Sequence, residues 1–464
     1  MGLCKDFSMN QSPLTGSWMK IIVLGMDMFI SYFAMYSIPS YAPRFIHKLE
    51  VPWKDVGNHV GVLLNILLAT GSIGTLIAGI VTSKCCPKKC VVLALTLQGI
   101  SCIAFGFSSS VAYAYVTVAF VGLFTIVVGI KTLTYKLCNK ENQSFVLTWA
   151  NAVPVTLSST IGPALGGYLV LPAEKYPRVF SPAGIFATYP ALFVQLLTGS
   201  VLVILAVATH WVVDGKDEDK QIDCESSDLL TSESHVDDME DIDETLIVQH
   251  GICEVFVEDI LKNSACIGSC LCFSMFCTII SVYDILLALW LEMPREKFGR
   301  NYDTNNVGNL YLISGCLTVI STHLVIGKMV ESLKTEVCFS IWLTVISLMV
   351  SITPNLLHIE SDAAFFACLI LINIIVMSCA CGGYTTVNTM MNDSTTTRAA
   401  PLIFTLSGVM ARLFEGIGAA CFASLFNWSI KHHTFPLDYR FPFYFLAIVV
   451  LLIYSFVWLI RKRY

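Results

Sequence analysis

Twelve apolar runs, each long enough to cross a bilayer, leave this 464-residue chain few ways to fold. A helix needs about 20 mostly apolar residues to span a hydrocarbon core roughly 30 Å thick. Runs of that kind fall at 19–39, 59–83, 90–108, 112–134, 145–171, 190–213, 264–291, 305–328, 335–353, 362–388, 399–426 and 441–460. They break where backbone or charge demands it: at Pro52 with Lys54 and Asp55, at Pro87 with Lys88 and Lys89, over 172–189, over 294–300, at Pro354 and over 436–440. An open sheet in lipid would strand its backbone N–H and C=O groups, so the runs are expected to be helices and the fold all-α. Composition agrees, with 55% hydrophobic and 13% charged residues against roughly 25% charge in a soluble domain. Most of the eighteen cysteines lie inside apolar runs, where Cys acts as a small hydrophobe. The stretch before Met19 has no apolar signal-peptide core and is expected to stay uncleaved.

The net charge of −6 is unevenly spread. Residues 214–259 hold 17 of the 34 acids and only Lys216 and Lys220 as bases; elsewhere 26 basic residues face 17 acidic ones, a net of +9. A basic apolar body with one acidic insert suits a polytopic membrane protein and not a nucleic-acid binder. The expected plan is a six-helix bundle over 1–213, an acidic disordered cytoplasmic linker over 214–262 and a second six-helix bundle over 263–464. An internal echo supports two halves. Val60-Gly61-Val62-Leu63 leads to Gly79-Ile80-Val81, as Val307-Gly308-Asn309-Leu310 leads to Gly327-Lys328-Met329. Repeated halves around a midplane site are the design of secondary transporters. An even span count puts both termini on one side, and about 17 Lys/Arg against about 10 make that side cytoplasmic.

Ionisable side chains within the runs carry the functional reading, because each costs about 2.5–3.5 kcal/mol at the bilayer centre on insertion scales. Asp27, about eight residues into the first run, reads as a protonatable or substrate-facing carboxylate, or as a packing acid bonded to a neighbour. Asp284 in the seventh reads as a substrate contact, a gate residue or a structural cap. Arg412 and Glu415 share one face of the eleventh helix at i, i+3 spacing. They read either as an organic-anion site with its resting counter-ion or as an internal salt bridge. Asn65, Asn151, Gln195, Asn373, Tyr32, Tyr36 and Tyr384 read either as cavity lining or, taken singly, as glue between helices. No cofactor and no metal site is expected: the cysteines at 85, 86, 90, 266, 270, 272, 277, 379 and 381 lack the paired spacing of a zinc site. Cys85 and Cys86, beside the inner leaflet, are alternatively palmitoylation candidates. There is no phosphate-binding GxxxxGK[ST] loop and no catalytic constellation, so neither ATP-driven pumping nor enzyme activity is supported.

Two sets of motifs carry a resemblance. Ile161-Gly162-Pro163-Ala164-Leu165-Gly166-Gly167 resembles the antiporter motif GPxxGG of the major facilitator superfamily. The loop Pro172-Ala173-Glu174-Lys175-Tyr176-Pro177-Arg178, the block from Tyr283-Asp284 to Trp290, Asn306-Val307-Gly308 and Leu425-Phe426-Asn427-Trp428-Ser429 resemble the zinc-induced-facilitator-like family within it. Lys131 matches that family's Ile-Lys pair. The superfamily's charged clasp GxxxDRxGRR is degenerate here: Ser83 stands for the acid and Cys86 for a glycine, while Lys84, Lys88 and Lys89 keep the positive charge. A basic residue of the fourth helix is missing as well, so the resemblance is to a divergent member.

The resemblance implies the two-lobed major facilitator fold of twelve transmembrane helices and movement of a small organic solute by alternating access, with proton-coupled antiport. Partners are then the solute, protons and membrane lipid, with the protein acting as a monomer in a vacuolar, endolysosomal or plasma membrane. In the insert, Ser226, Ser227, Ser232 and Ser234 are phosphorylation candidates, and Glu225-Ser226-Ser227-Asp228-Leu229-Leu230 fits an acidic di-leucine sorting pattern. The rival reading is a non-transporting sensor or receptor on the same scaffold, suggested by the eroded clasp.

Overall fold

The structure is a computed structural model. It describes residues 18–84, 86–127, 129–130, 133, 150, 153–213, 263–321, 334–394, 400–431 and 435–461. Expectations placed on the 214–262 insert, Cys85, Lys131 and Asn151 lie outside the described residues.

A helix occupies part of each of the twelve apolar runs. In chain order they are α1 (Trp18–Ser37), α2 (Trp53–Lys84), α3 (Pro87–Gly106), α4 (Val111–Leu123), α5 (Val153–Leu169), α6 (Leu192–Val212), α7 (Ser264–Glu292), α8 (Thr304–Ser321), α9 (Thr335–Ile352), α10 (Asp362–Asp393), α11 (Ala400–Ser429) and α12 (Phe441–Arg461). No strand occurs among the described residues. Among the described residues eight helices are long and apolar enough to cross a membrane, and Val111–Leu123 and Phe441–Tyr454 are shorter apolar helices. Much of the fourth run lies outside the described residues, as does the end of the eighth, and α8 opens with the polar Asn305, Asn306 and Asn309.

Helix starts follow local chemistry. Ser110 Oγ accepts from the Tyr113 N–H at 3.3 Å and caps α4. Asn263 Oδ1 accepts from the Ala265 and Cys266 N–H groups at 3.2 Å and caps α7. Such a cap satisfies donors that the first turn leaves orphaned. Outward flanks carry exposed Leu93, Val116, Ile204, Leu371 and Ile448, the inverse of a water-facing surface and the face a bilayer requires.

The helices pack in a repeated pattern. Within the first six, α1 packs on α5 and α6, α2 on α4, and α3 on α4 and α6. Within the second six, α7 packs on α11 and α12, α8 on α10, and α9 on α10 and α12. Each contact recurs six helices later. The two sets meet along two seams, α2 with α11 and α5 with α8, which the same repeat exchanges. The sequence echo lands on these seams. A Cβ on Gly61 would sit 2.9 Å from Ala423 Cβ, and one on Gly308 would sit 2.9 Å from the Ala164 carbonyl oxygen.

Candidate functional site

Odd-numbered helices run from one end of the bundle, here called proximal, to the other, called distal. Midway, α1 of the first set faces α7, α10 and α11 of the second around a polar cluster. Tyr32 and Tyr36, one turn apart on α1, stack with ring centroids 5.6 Å apart. The Arg412 guanidinium of α11 lies 5.6 Å from the Tyr32 ring centroid, a cation–π distance, and donates from Nη2 to Tyr32 Oη at 3.3 Å. Glu415, Cys277 of α7 and Tyr384 of α10 lie close enough to interact electrostatically with this group. Tyr384 is held edge-on against Phe276, with centroids 5.2 Å apart. Arg412 and Glu415 are half-buried. They are ringed by helices yet keep accessible surface, as the wall of an internal space does.

Among the described residues Arg412 makes no direct ion pair with Glu415; its guanidinium turns across to α1 instead. The i, i+3 salt bridge expected as one reading is therefore replaced by a contact between the two helix sets. Asp284 is half-buried on α7, and Tyr311 Oη of α8 donates to its carbonyl at 3.2 Å and to Oδ1 at 3.4 Å. Asp27 lies elsewhere. It is wholly buried between α1 and α6, where Thr209 Oγ1 donates to Oδ2 at 2.6 Å and Oδ1 has no partner. Neighbouring bonds also tie α1 to its own set: Ser31 Oγ donates to Gln98 Oε1 at 2.7 Å, and Ser158 Oγ to the Phe29 carbonyl at 2.7 Å.

The GPxxGG glycines are spacing devices. A Cβ on Gly162 would lie 3.3 Å from Tyr36 Cβ, and one on Gly166 would lie 2.8 Å from Ser37 Cβ and 2.9 Å from the Ser37 carbonyl oxygen. Gly167 faces the other way, against the Thr304 carbonyl of α8. The motif thus lets one helix lie against α1 and α8 at once, with Pro163 inside it. Lys84 ends α2 and Lys88 sits in the first turn of α3. Among the described residues no three His, Cys, Asp or Glu side chains come together as a metal site would need.

The distal halves of both seams are closed. Gly57 and Gly61 of α2 meet Ala423 and Asn427 of α11, Asn65 meets Gly416, and Ser72 Oγ donates to the Val409 carbonyl at 3.4 Å. On the other seam Tyr168 Oη bonds Asn309 Oδ1, and Lys175 Nζ donates to the Gly167 carbonyl and Thr304 Oγ1. Further along the first seam two glycines lack close neighbours. Gly79, two turns beyond Ser72 on the same face of α2, and Gly408 on α11 each have nothing within 4 Å of a Cβ position.

Two helix sets related by a repeat, joined along two seams around a polar middle, are the architecture of a transporter bundle. The family model of the Major Facilitator Superfamily matches residues 21–422, and the chain belongs to that superfamily. Within it, the chain is a divergent relative of the zinc-induced facilitators. It is 25% identical over 425 residues to Protein ZINC INDUCED FACILITATOR 1 of Arabidopsis thaliana, covering 89% of this chain and 84% of the relative. It is 26% identical over 264 residues to Protein ZINC INDUCED FACILITATOR-LIKE 1 of the same plant, covering 56% of this chain and 53% of the relative. Among solved structures it is similar to a bacterial homolog of the human lysosomal transporter Spinster in an inward-facing, unoccupied conformation. The TM-score there is 0.67 at 12% identity, covering 96% of each chain. The chain is an integral multi-pass membrane protein of a transporter family.

Proposed function

We propose that the protein is a secondary-active carrier that moves a small organic solute by alternating access, with Arg412 holding an anionic group of that solute. The observation that carries this reading is the Arg412–Tyr32 contact, in which the two helix sets share one cation at mid-depth. A guanidinium can engage a carboxylate or phosphate through two parallel hydrogen bonds. Tyr32, Tyr36 and Tyr384 add hydroxyl groups and aromatic faces, and Glu415, near Arg412 but not paired with it, is our candidate for a longer-range counter-charge. A solute that competes for Arg412 takes it from Tyr32, and so loosens one link between the sets.

Asp27 is our candidate for the proton-coupling group, because its Oδ1 has neither a cation nor a donor beside it. Asp284, toward the distal half of α7, is our candidate gate contact. In this reading residues 1–213 and 263–464 are the two rocking units, 214–262 tethers them, both termini are cytoplasmic, and one copy suffices. Lys84 and Lys88 would then face the cytoplasm at the proximal end. The test is uptake of a panel of organic anions and zwitterions into proteoliposomes under an imposed pH gradient. Flux that follows the gradient and is lost in Arg412→Ala is the expected result. Absence of flux for every solute class, with ligand binding retained, would overturn the carrier reading in favour of a receptor.

A further inference from the structure

We propose that Arg44 and Lys175 are positioning residues for the transport cycle: together they latch the distal end shut and set how much of the protein rests open at its proximal end. The proposal rests on the alternating-access reading for its meaning, but its geometry stands apart from the Arg412 cluster.

Arg44 belongs to a short helix, Ala42–Lys48, that follows α1. Among the described residues its polar contacts reach the second helix set. Its backbone N–H donates to Glu292 Oε2 at 3.1 Å, Nη2 donates to the Tyr302 carbonyl at 3.0 Å, and Nη1 lies 3.3 Å from Asp303 Oδ1. Lys175 ends the turn Pro172–Lys175 after α5 and reaches Thr304 of α8 as well as the Gly167 carbonyl. Thr304 Oγ1 also donates to the Gly167 carbonyl, at 3.0 Å. Lys48 pairs with Glu174, so the two carriers of the latch are joined to each other within the first set. A cleft of about 370 Å³ opens over them, walled by Arg44, Glu174 and Lys175 on one side and by Asp303 and Asn305 on the other.

Two features make this a latch and not a weld. First, the latch bonds sit at or just beyond the distal ends of the long helices, where a rocking motion has its greatest travel. Second, the network is left partly unsatisfied: Arg44 Nε and Glu292 Oε1 are buried without partners. A partly exposed charge network that is incompletely paired contributes less than its bond count implies, so it can be exchanged for hydration when the end opens. At the proximal end, where the superfamily carries its acid-and-arginine clasp, this chain has Ser83 and Cys86. Among the described residues the cross-set ion pair is the distal Arg44–Asp303 contact, so closing the latch favours the state open proximally.

The experiment is hydrogen–deuterium exchange of the full-length protein in nanodiscs, without solute, reading peptides that cover 160–176 and 302–312. The variants are Arg44→Gln, Lys175→Gln, the pair, Arg44→Lys and, as a control, Arg440→Gln, whose partners His358 and Tyr439 lie within the second set. We expect the pair to raise exchange at both peptides at least tenfold, the single variants less, and Arg44→Lys to restore part of the protection. Peptides within 195–210 should be unchanged, and the control should leave both reporter peptides as in the wild type. Unchanged exchange at both reporters would overturn the latch. So would a uniform rise that includes 195–210, because that is general loosening. Flux measured separately distinguishes the two readings: a latch that responds in a protein with no flux for any solute removes the carrier and keeps the latch.

Discussion

Arg412 shows how far a single side chain could be read in advance. Its cost within lipid marked it in the sequence, as it marked Glu415, Asp27 and Asp284. What spacing could not supply was direction. A pair at i, i+3 shares a face, yet the guanidinium points across to Tyr32, a residue 380 positions away. Arg412→Ala should lower flux of an anionic solute at least about 100-fold, the scale expected when one partner of a desolvated charge pair is removed; initial rates in proteoliposomes measure it. Arg412→Lys should recover little, since an ammonium cannot reproduce the planar fork. Asp27 behaves differently because its one partner lies inside its own helix set. Asp27→Asn should keep solute exchange while abolishing the response to an imposed pH gradient, and equal pH-driven flux in both forms would remove the coupling role. Thr209→Val should cost about 1–3 kcal/mol, the penalty for leaving a buried acceptor unmet, read from detergent unfolding midpoints. Arg44 was the residue the sequence left unmarked. It lies between the first and second runs, where a base looks ordinary, and only tertiary structure gathers Glu292, Tyr302 and Asp303 around it.

Among the helices, a helix lies in part of each hydropathy run, and among the described residues eight are long and apolar enough to cross a membrane, but the run ends differ. The apolar signal of the second run begins at 59, whereas α2 begins at Trp53 with Asp55 in its first turn. Polar first turns are invisible to an apolar count. The fourth run reads as continuous to 134, yet α4 stops at Leu123. Gly122 there lies against the Leu67 carbonyl of α2, an approach that any side chain would forbid. The short helix Ala42–Lys48 was missed because its seven residues carry Arg, His and Lys. The GPxxGG motif, in contrast, was legible as a motif, and its physical meaning came only from the packing of α5. Gly167→Ala would drive a methyl into the Thr304 carbonyl. We expect it to wedge α5 from α8 and cut flux more than tenfold, while Gly79→Ala, in open space, leaves flux near wild type. Paired rate measurements decide it, and equal losses at both sites would show that glycine flexibility, not clearance, is what matters.

At the scale of the whole molecule, the repeat predicted from two short strings of residues is present as a full pattern of helix contacts. If the halves are units, 1–213 and 263–464 expressed as separate chains should co-purify and recover measurable flux. Failure to associate would show that the tether is required for assembly. The distal end also makes the resting state sensitive to pH. Burial pushes the Lys175 ammonium down to about 8, against the pull of Asp303 and Glu292, with Arg44 adding repulsion and Glu174 attraction. A solvent-exposed lysine titrates near 10.4. Closing the distal end therefore releases a proton between roughly pH 8 and pH 10, so the closed fraction should rise with pH across that window and be flat below about 7. Exchange protection of residues 302–312 measures it, and Lys175→Gln should remove the slope. The two seams are thus unlike in chemistry although the repeat relates them. Small residues line α2 with α11, while side-chain hydrogen bonds and cross-set charges crowd the end of α5 with α8. A door hung this way swings about one jamb and is bolted at the other: the first gap to admit water from the distal side should open beside Lys175, leaving the Gly61–Ala423 edge as the pivot.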